Sequence, residues 1–179
     1  MLSVPVLVLP GYADSGPDHW QSHWERDEPA CRRVAQDDWL EPRRHDWLAT
    51  LGRYVAECAA PPVLIAHSLG CALVAHWAAG SRPRAKGALL VAPADVDSPL
   101  HTPDEVRNFS PMPLTRFPFP SIVVASTDDP FVSVERANEF AAAWGSRVVI
   151  LECAGHINSD AGFGPWPEGR RLLDELRAA

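Results

Sequence analysis

Ser68 lies in the run Val63-Leu64-Ile65-Ala66-His67-Ser68-Leu69-Gly70, between an apolar segment and a second, longer one. A serine hydroxyl is a weak nucleophile until a base takes its proton. A strand, a sharp turn and a helix in succession would lift that hydroxyl to the top of a sheet. Such a turn needs small residues two positions before and after the serine. Ala66 and Gly70 fill those places, with alanine standing where glycine is usual. The same turn aims the Leu69 N–H at the point where a carbonyl oxygen would gain charge. Pro10-Gly11-Tyr12 follows another apolar run, and Gly11 permits close backbone approach. The Tyr12 N–H is therefore the expected second donor.

A base is needed, and the chain has seven histidines. His156 follows an apolar run through Cys153-Ala154-Gly155 and is the last of them, in the chain order serine, aspartate, histidine. His67 adjoins Ser68, but neighbouring side chains diverge at a sharp turn. His76 falls two helical turns further on, and His19, His23, His45 and His101 lie outside the slot. An acid must accept from the histidine Nδ1–H to hold its tautomer. Ser126-Thr127-Asp128-Asp129-Pro130 follows a strand-like run and offers two. Spacing leaves Asp128 and Asp129 both open.

These groups need a scaffold. Val4 to Leu9, Val63 to Ala66, Ala88 to Val91, Ile122 to Ala125 and Val148 to Leu151 are continuous apolar runs, as expected of parallel strands covered on both faces. Cys31 to Ala35 is a weaker candidate for an edge. Helices are expected over Asp46 to Ala59, Leu69 to Ala79, Val134 to Trp144 and Trp166 to Arg177. Ser133 is placed to cap the third and Pro167 to begin the fourth. Strands alternating with helices imply a doubly wound, mostly parallel sheet in one domain, with ligands at the carboxyl ends of the strands. Pro93 to Pro120 breaks this rhythm and reads either as a functional loop or lid or as a rigid excursion. Trp20, Trp24, Trp39 and Trp47 either line a pocket or fill the core.

The chain has 179 residues, 46% of them hydrophobic, and a net charge of −7. That charge argues against nucleic acid and anionic membranes as partners. No apolar run approaches the span of a bilayer, and the amino terminus does not read as a signal peptide. Cys31, Cys58, Cys71 and Cys153 have no metal-site or disulfide-framework spacing and read as buried free thiols. A cytoplasmic protein without metal or cofactor is expected.

With those residues assembled, the chain resembles the small serine hydrolases of the YdeN and retinoblastoma-binding serine hydrolase type. The likeness rests on Leu9-Pro10-Gly11-Tyr12, Gly16-Pro17-Asp18-His19-Trp20, Ala66-His67-Ser68-Leu69-Gly70, Ser126-Thr127-Asp128-Asp129-Pro130-Phe131 and Gly155-His156. It implies a compact α/β-hydrolase fold and cleavage of small esters through Ser68, His156 and an aspartate. It also selects Asp129, the aspartate directly before proline. Retinoblastoma binding in that family is tied to an L-x-C-x-E segment. Leu151-Glu152-Cys153-Ala154-Gly155 ends in glycine, so that partner is not implied. Amide or thioester cleavage would use the same residues. A non-catalytic binding module on the same shell is the reading from another class.

Overall fold

The computed structural model describes residues 4–80 and 83–179. The apolar runs form six strands: β1 (Val6–Leu9), β2 (Cys31–Arg33), β3 (Val63–His67), β4 (Gly87–Val91), β5 (Ser121–Ser126) and β6 (Arg147–Leu151). They make one sheet in the order β2-β1-β3-β4-β5-β6, and every pairing is parallel. The strands from β1 to β5 along the middle of this order are wholly buried. β2 is an edge, as expected. β6 is the other edge, which its continuous apolar run does not reveal, and its Val148 is 38% exposed.

Alternate strand residues face opposite sides, and each side has its own helices. Val6, Val8, Ile65, Leu89 and Val124 meet α1 (Trp20–Asp27) and α5 (Pro167–Ala178) through Trp20, Trp24, Leu173 and Leu176. Leu7, Leu9, Leu64, Leu90 and Val123 meet α2 (Arg44–Glu57), α3 (Leu69–Ala78) and α4 (Val134–Trp144). Ser133 caps α4 by accepting from the Arg136 N–H, and Gly145 ends it in a left-handed conformation. No helix among the described residues is long and apolar enough to cross a membrane.

Helix α1 has no counterpart among the expected helices. Its buried face carries Gln21 and Ser22 beside the two tryptophans, which hides the apolar stripe. The glutamine is buried because it completes strand ends. Its Nε2 donates to the carbonyls of Leu9 and Ile65, both at 3.2 Å, and its Oε1 accepts from Ser15 Oγ at 2.6 Å. Trp20, Trp24 and Trp47 fill core, and Trp39 packs against it. The thiols divide differently from expectation. Cys31 and Cys71 are buried and Cys58 partly so, but Cys153 is exposed because it sits on the turn after β6.

The proline-rich excursion after β4 is a packed segment around a 3-10 helix, Asp104–Phe109. Val96, Val106, Phe109, Met112, Phe117 and Phe119 enter the core beside α2, α3 and α4. Arg107 donates to the carbonyls of Val96 and Thr102 at 2.6 and 2.8 Å. Arg136 of α4 pairs with Asp95 and Asp97, and Asp97 also accepts from Ser110 Oγ and the Met112 N–H.

Helix α3 starts hard against β1. A Cβ on Gly70 would sit 2.3 Å from the Leu9 carbonyl oxygen and 2.8 Å from that of Pro10. Alanine is the better helix former by up to about 1 kcal/mol, but the overlap is with backbone that has no room to move. Gly70→Ala is therefore expected to destabilise the fold by about 2 kcal/mol. Urea denaturation of the two proteins measures this.

Candidate active site

The β3–α3 junction holds Ser68 at φ 54° and ψ −119°. This backbone is unfavourable for a residue with a side chain, at roughly 1–3 kcal/mol. It is held by the Ser68 N–H on the Val91 carbonyl, by the buried strand before it and by the buried helix after it. Ser68 occupies the N-cap position, yet its side chain makes no capping hydrogen bond. The hydroxyl instead lines a cavity of about 370 Å³ at the carboxyl end of the sheet.

Gly11 lies directly against this turn. A Cβ there would be 2.8 Å from Ser68 Cβ and 3.2 Å from the Leu69 nitrogen. The loop after β1 and the start of α3 are thus in backbone contact, which brings the Tyr12 and Leu69 N–H groups to one region. Among the described residues, neither N–H has an intramolecular partner.

His156 reaches the same cavity from the loop after β6. Its Nδ1 is 2.9 Å from both carboxylate oxygens of Asp129, whose side chain is fully buried. A carboxylate only accepts, so Nδ1 carries the proton and Nε2 is left as the basic nitrogen. Asp129 Oδ1 also accepts from the Phe131 N–H at 2.9 Å, and the Phe131 ring packs on the imidazole at 4.5 Å. Asp128 points elsewhere, to Ser126 Oγ and the Gly155 N–H, each at 2.7 Å. Of the two aspartates that spacing left open, Asp129 is the one against His156.

The residues around Asp129 form a pattern that sequence reasoning missed. Ser126 Oγ accepts from the Ala154 N–H, Thr127 Oγ1 from the Cys153 N–H and Asp128 Oδ1 from the Gly155 N–H, at 2.9, 2.9 and 2.7 Å. Together with Asp129 on His156, four consecutive side chains hold four consecutive residues. The signal was a polar run immediately after a buried strand. Two further contacts fix the backbone at His156 and just after it. His67 Nε2 donates to the His156 carbonyl at 2.8 Å, and Trp20 Nε1 donates to the Ile157 carbonyl at 3.0 Å. His67 does diverge from Ser68, as the turn requires, and this divergence is what carries it to the His156 loop.

The remaining cavity wall has two characters. Leu69, Ala94, Pro103, Val106 and Phe131 supply apolar surface, much of it from the proline-rich excursion. Asp14, Asn158 and Ser159 are polar. Asp14 is tied to Arg33 at 2.6 Å. Among the described residues, no group of three or more histidine, cysteine or acidic side chains has the arrangement to hold a metal ion.

Residues 6–175 match the family described as serine hydrolase. The chain belongs to the serine hydrolase family. It is 27% identical over 172 residues to YdeN of Bacillus subtilis (strain 168), an alignment covering 90% of each chain. A solved structure of a YdeN-like hydrolase from Pectobacterium atrosepticum is 34% identical, with a TM-score of 0.88 over 98% of this chain and 91% of that one. Carboxylesterase CesB of Bacillus subtilis shares the fold at 14% identity, with a TM-score of 0.65 over 99% of this chain and 85% of its own. The α/β-hydrolase fold implied by the family likeness is therefore present.

Burial also governs the charge of two histidines beside the site. His67 is held well below the usual histidine range, first by desolvation and then by His156 and His19. His19 is pushed down to about 3 by desolvation, with Arg33 and His156 adding to it. Both are neutral in the folded protein near neutral pH. The unfolded chain takes up those protons below about pH 6.5, so it binds more protons than the folded chain and stability falls with falling pH. The melting temperature is expected to drop from pH 7 to pH 5. His67→Gln keeps a donor for the His156 carbonyl and should flatten that drop. An equal slope in both proteins would refute this assignment of the pH dependence.

Proposed function

We propose that this serine hydrolase cleaves small esters through Ser68, His156 and Asp129. The observation that carries the reading is the buried Asp129 carboxylate on His156 Nδ1, which leaves Nε2 basic in the cavity that Ser68 lines. Membership of a serine hydrolase family supports it, as does the shared fold with a carboxylesterase.

In the proposed cycle His156 Nε2 takes the Ser68 proton as Oγ attacks the ester carbonyl. The carbonyl oxygen becomes an oxyanion, for which the Tyr12 and Leu69 N–H groups are the proposed donors. Each such donor typically lowers the barrier by about 3 kcal/mol. His156, now an imidazolium, passes its proton to the alcohol oxygen as the C–O bond breaks. Water then attacks the acyl-enzyme with His156 again as base, and the acid leaves. Asp129 keeps the proton on Nδ1 and stabilises the imidazolium without itself becoming protonated.

Ser68→Ala is expected to abolish fluorophosphonate labelling and esterase turnover while the circular dichroism spectrum stays native. Labelling that persists in Ser68→Ala would overturn the choice of nucleophile. Asp129→Asn should lower kcat by about four orders of magnitude, because the amide favours the wrong histidine tautomer. Asp128→Asn, tested alongside, should cost far less.

The cavity volume and the fixed wall from residues 93–120 favour short acyl groups. Acetyl and butyryl esters of p-nitrophenol are expected to exceed the decanoyl ester by about tenfold or more in kcat/KM. Preference for the long chain would show that the excursion opens.

A further inference from the structure

His156 lines a second hollow as well as the Ser68 cavity. This hollow, of about 500 Å³, adjoins the first. His156, Phe131 and Asn158 line both, so these three residues form the boundary between them. Ser68, Tyr12 and Leu69 line the first alone. The second is bounded instead by Asp128, Pro130, Cys153, Gly155, Asp160 and Ala161, from the chain segments after β5 and β6. The mechanism above does not use it.

An ester positioned for attack divides at its carbonyl carbon. That carbon must lie by Ser68 Oγ, with its oxygen toward the Tyr12 and Leu69 N–H groups. The alcohol oxygen must lie by His156, which protonates it. The alcohol portion therefore leaves the first cavity at His156, where the second hollow begins. The acyl portion keeps the apolar surroundings of the first, since Leu69, Ala94, Pro103 and Val106 belong to that cavity alone.

The second hollow also differs in chemistry. Asp128 and Asp160 are exposed carboxylates on it. Hydrogen bonds from Ser126 Oγ and the Gly155 N–H hold the Asp128 carboxyl below the usual range, so it is ionised at neutral pH. Asn158 Oδ1 accepts from the Ala161 N–H at 3.1 Å, which leaves its NH2 group as the donor for a ligand. Among the described residues, no lysine or arginine lines the hollow. Anionic alcohol portions are therefore repelled. A hydroxyl can donate to a carboxylate and accept from an amide, so it suits both kinds of neighbour.

Resting on the esterase reading, we propose that the second hollow binds the alcohol portion of the ester and selects alcohols that carry further hydroxyl groups. The substrate class is short-chain esters of polyols.

The test uses three butanoate esters: 2,3-dihydroxypropyl, methyl and 2-methylbutyl. The last has methyl groups in place of the two hydroxyls of the first. Hydrolysis is followed by pH-stat, and only ratios of kcat/KM are compared between proteins, which cancels the intrinsic reactivity of each ester. Ala161→Trp puts a large ring into the hollow and is expected to lower the dihydroxypropyl-to-methyl ratio by about tenfold. Asp160→Ala removes an acceptor and is expected to lower the dihydroxypropyl-to-methylbutyl ratio by about tenfold. If Ala161→Trp does not fold, N-ethylmaleimide on the exposed Cys153 obstructs the hollow in the wild-type protein. Cys153→Ser under the same treatment is the control, and the first ratio is expected to fall only where the thiol is present. A first ratio that does not move when the hollow is obstructed overturns the placement of the alcohol portion. A second ratio that does not move in Asp160→Ala overturns the hydroxyl selectivity. Either result leaves the esterase reading standing. Wild type that hydrolyses none of the three esters overturns the esterase reading and this inference with it.

Discussion

The loop that presents His156 has no regular secondary structure of its own, so something outside it must fix its path. That constraint is met by parallel pairing of β5 with β6, in register from Ile122 with Arg147 to Ser126 with Leu151. The pairing delivers the chain after β5 and the chain after β6 to the same place, side by side. The acceptors of Ser126, Thr127, Asp128 and Asp129 then meet the donors of Ala154, Cys153, Gly155 and His156. Each neutral bond contributes only about 1 kcal/mol net. Their combined effect is geometric, since a loop bound at four successive residues has few other conformations. A one-residue slip between β5 and β6 would misalign all four bonds at once.

Ser68 is fixed by a different means. Its strained backbone is held by one backbone hydrogen bond, to the Val91 carbonyl, and by lack of room where β1 and its loop meet the turn. Gly70 meets the carbonyls of Leu9 and Pro10, and Gly11 meets Ser68 itself. The strain, of the order of 1–3 kcal/mol, is small beside the apolar burial of β3 and α3, where each large side chain contributes about 1.5–3 kcal/mol. The nucleophile candidate is thus placed by core packing, and the base candidate by a polar network. The two parts meet at His67, which ends β3 and donates to the His156 carbonyl.

Much of this was legible in the sequence, for identifiable reasons. Strands buried on both faces read as continuous apolar runs, so β1, β3, β4 and β5 were found within two residues at each end. Ser68, Leu69 and Tyr12 were singled out from turns that demand small residues, and the structure places all three on one cavity. Helix α1 was not legible, because Gln21 replaces an apolar residue on its buried face and is satisfied by strand-end carbonyls. No local pattern announces that kind of satisfaction. The edge position of β6 was hidden for a related reason: an apolar run records composition, while exposure depends on whether another strand follows. Asp129 was separated from Asp128 by family likeness alone. Its physical distinction is that Asp128 is engaged by Gly155 and Ser126, a contact across 27 residues that spacing does not encode.

The histidines beside the site show why burial matters to the proposed chemistry. In the proposed transition state His156 becomes an imidazolium, with Asp129 as its counter-charge. A second cation about 5 Å away would oppose it by roughly 3 kcal/mol at an effective dielectric of 20, about two orders of magnitude in rate. His67 and His19 lie within such distances of His156 or of each other. As unperturbed imidazoles they would compete for the same proton near pH 6.5. Their burial removes that competition, because desolvation is the largest influence on each. The same two rings still act as oriented neutral dipoles: His67 Nε2 on the His156 carbonyl, His19 Nδ1 on the Gln21 N–H. A positive residue in place of His67 could supply a donor as well, but it would do so with a charge that His156 must then carry against. Neutral neighbouring rings and a single buried carboxylate suit a proposed mechanism that develops one positive charge, on the His156 ring.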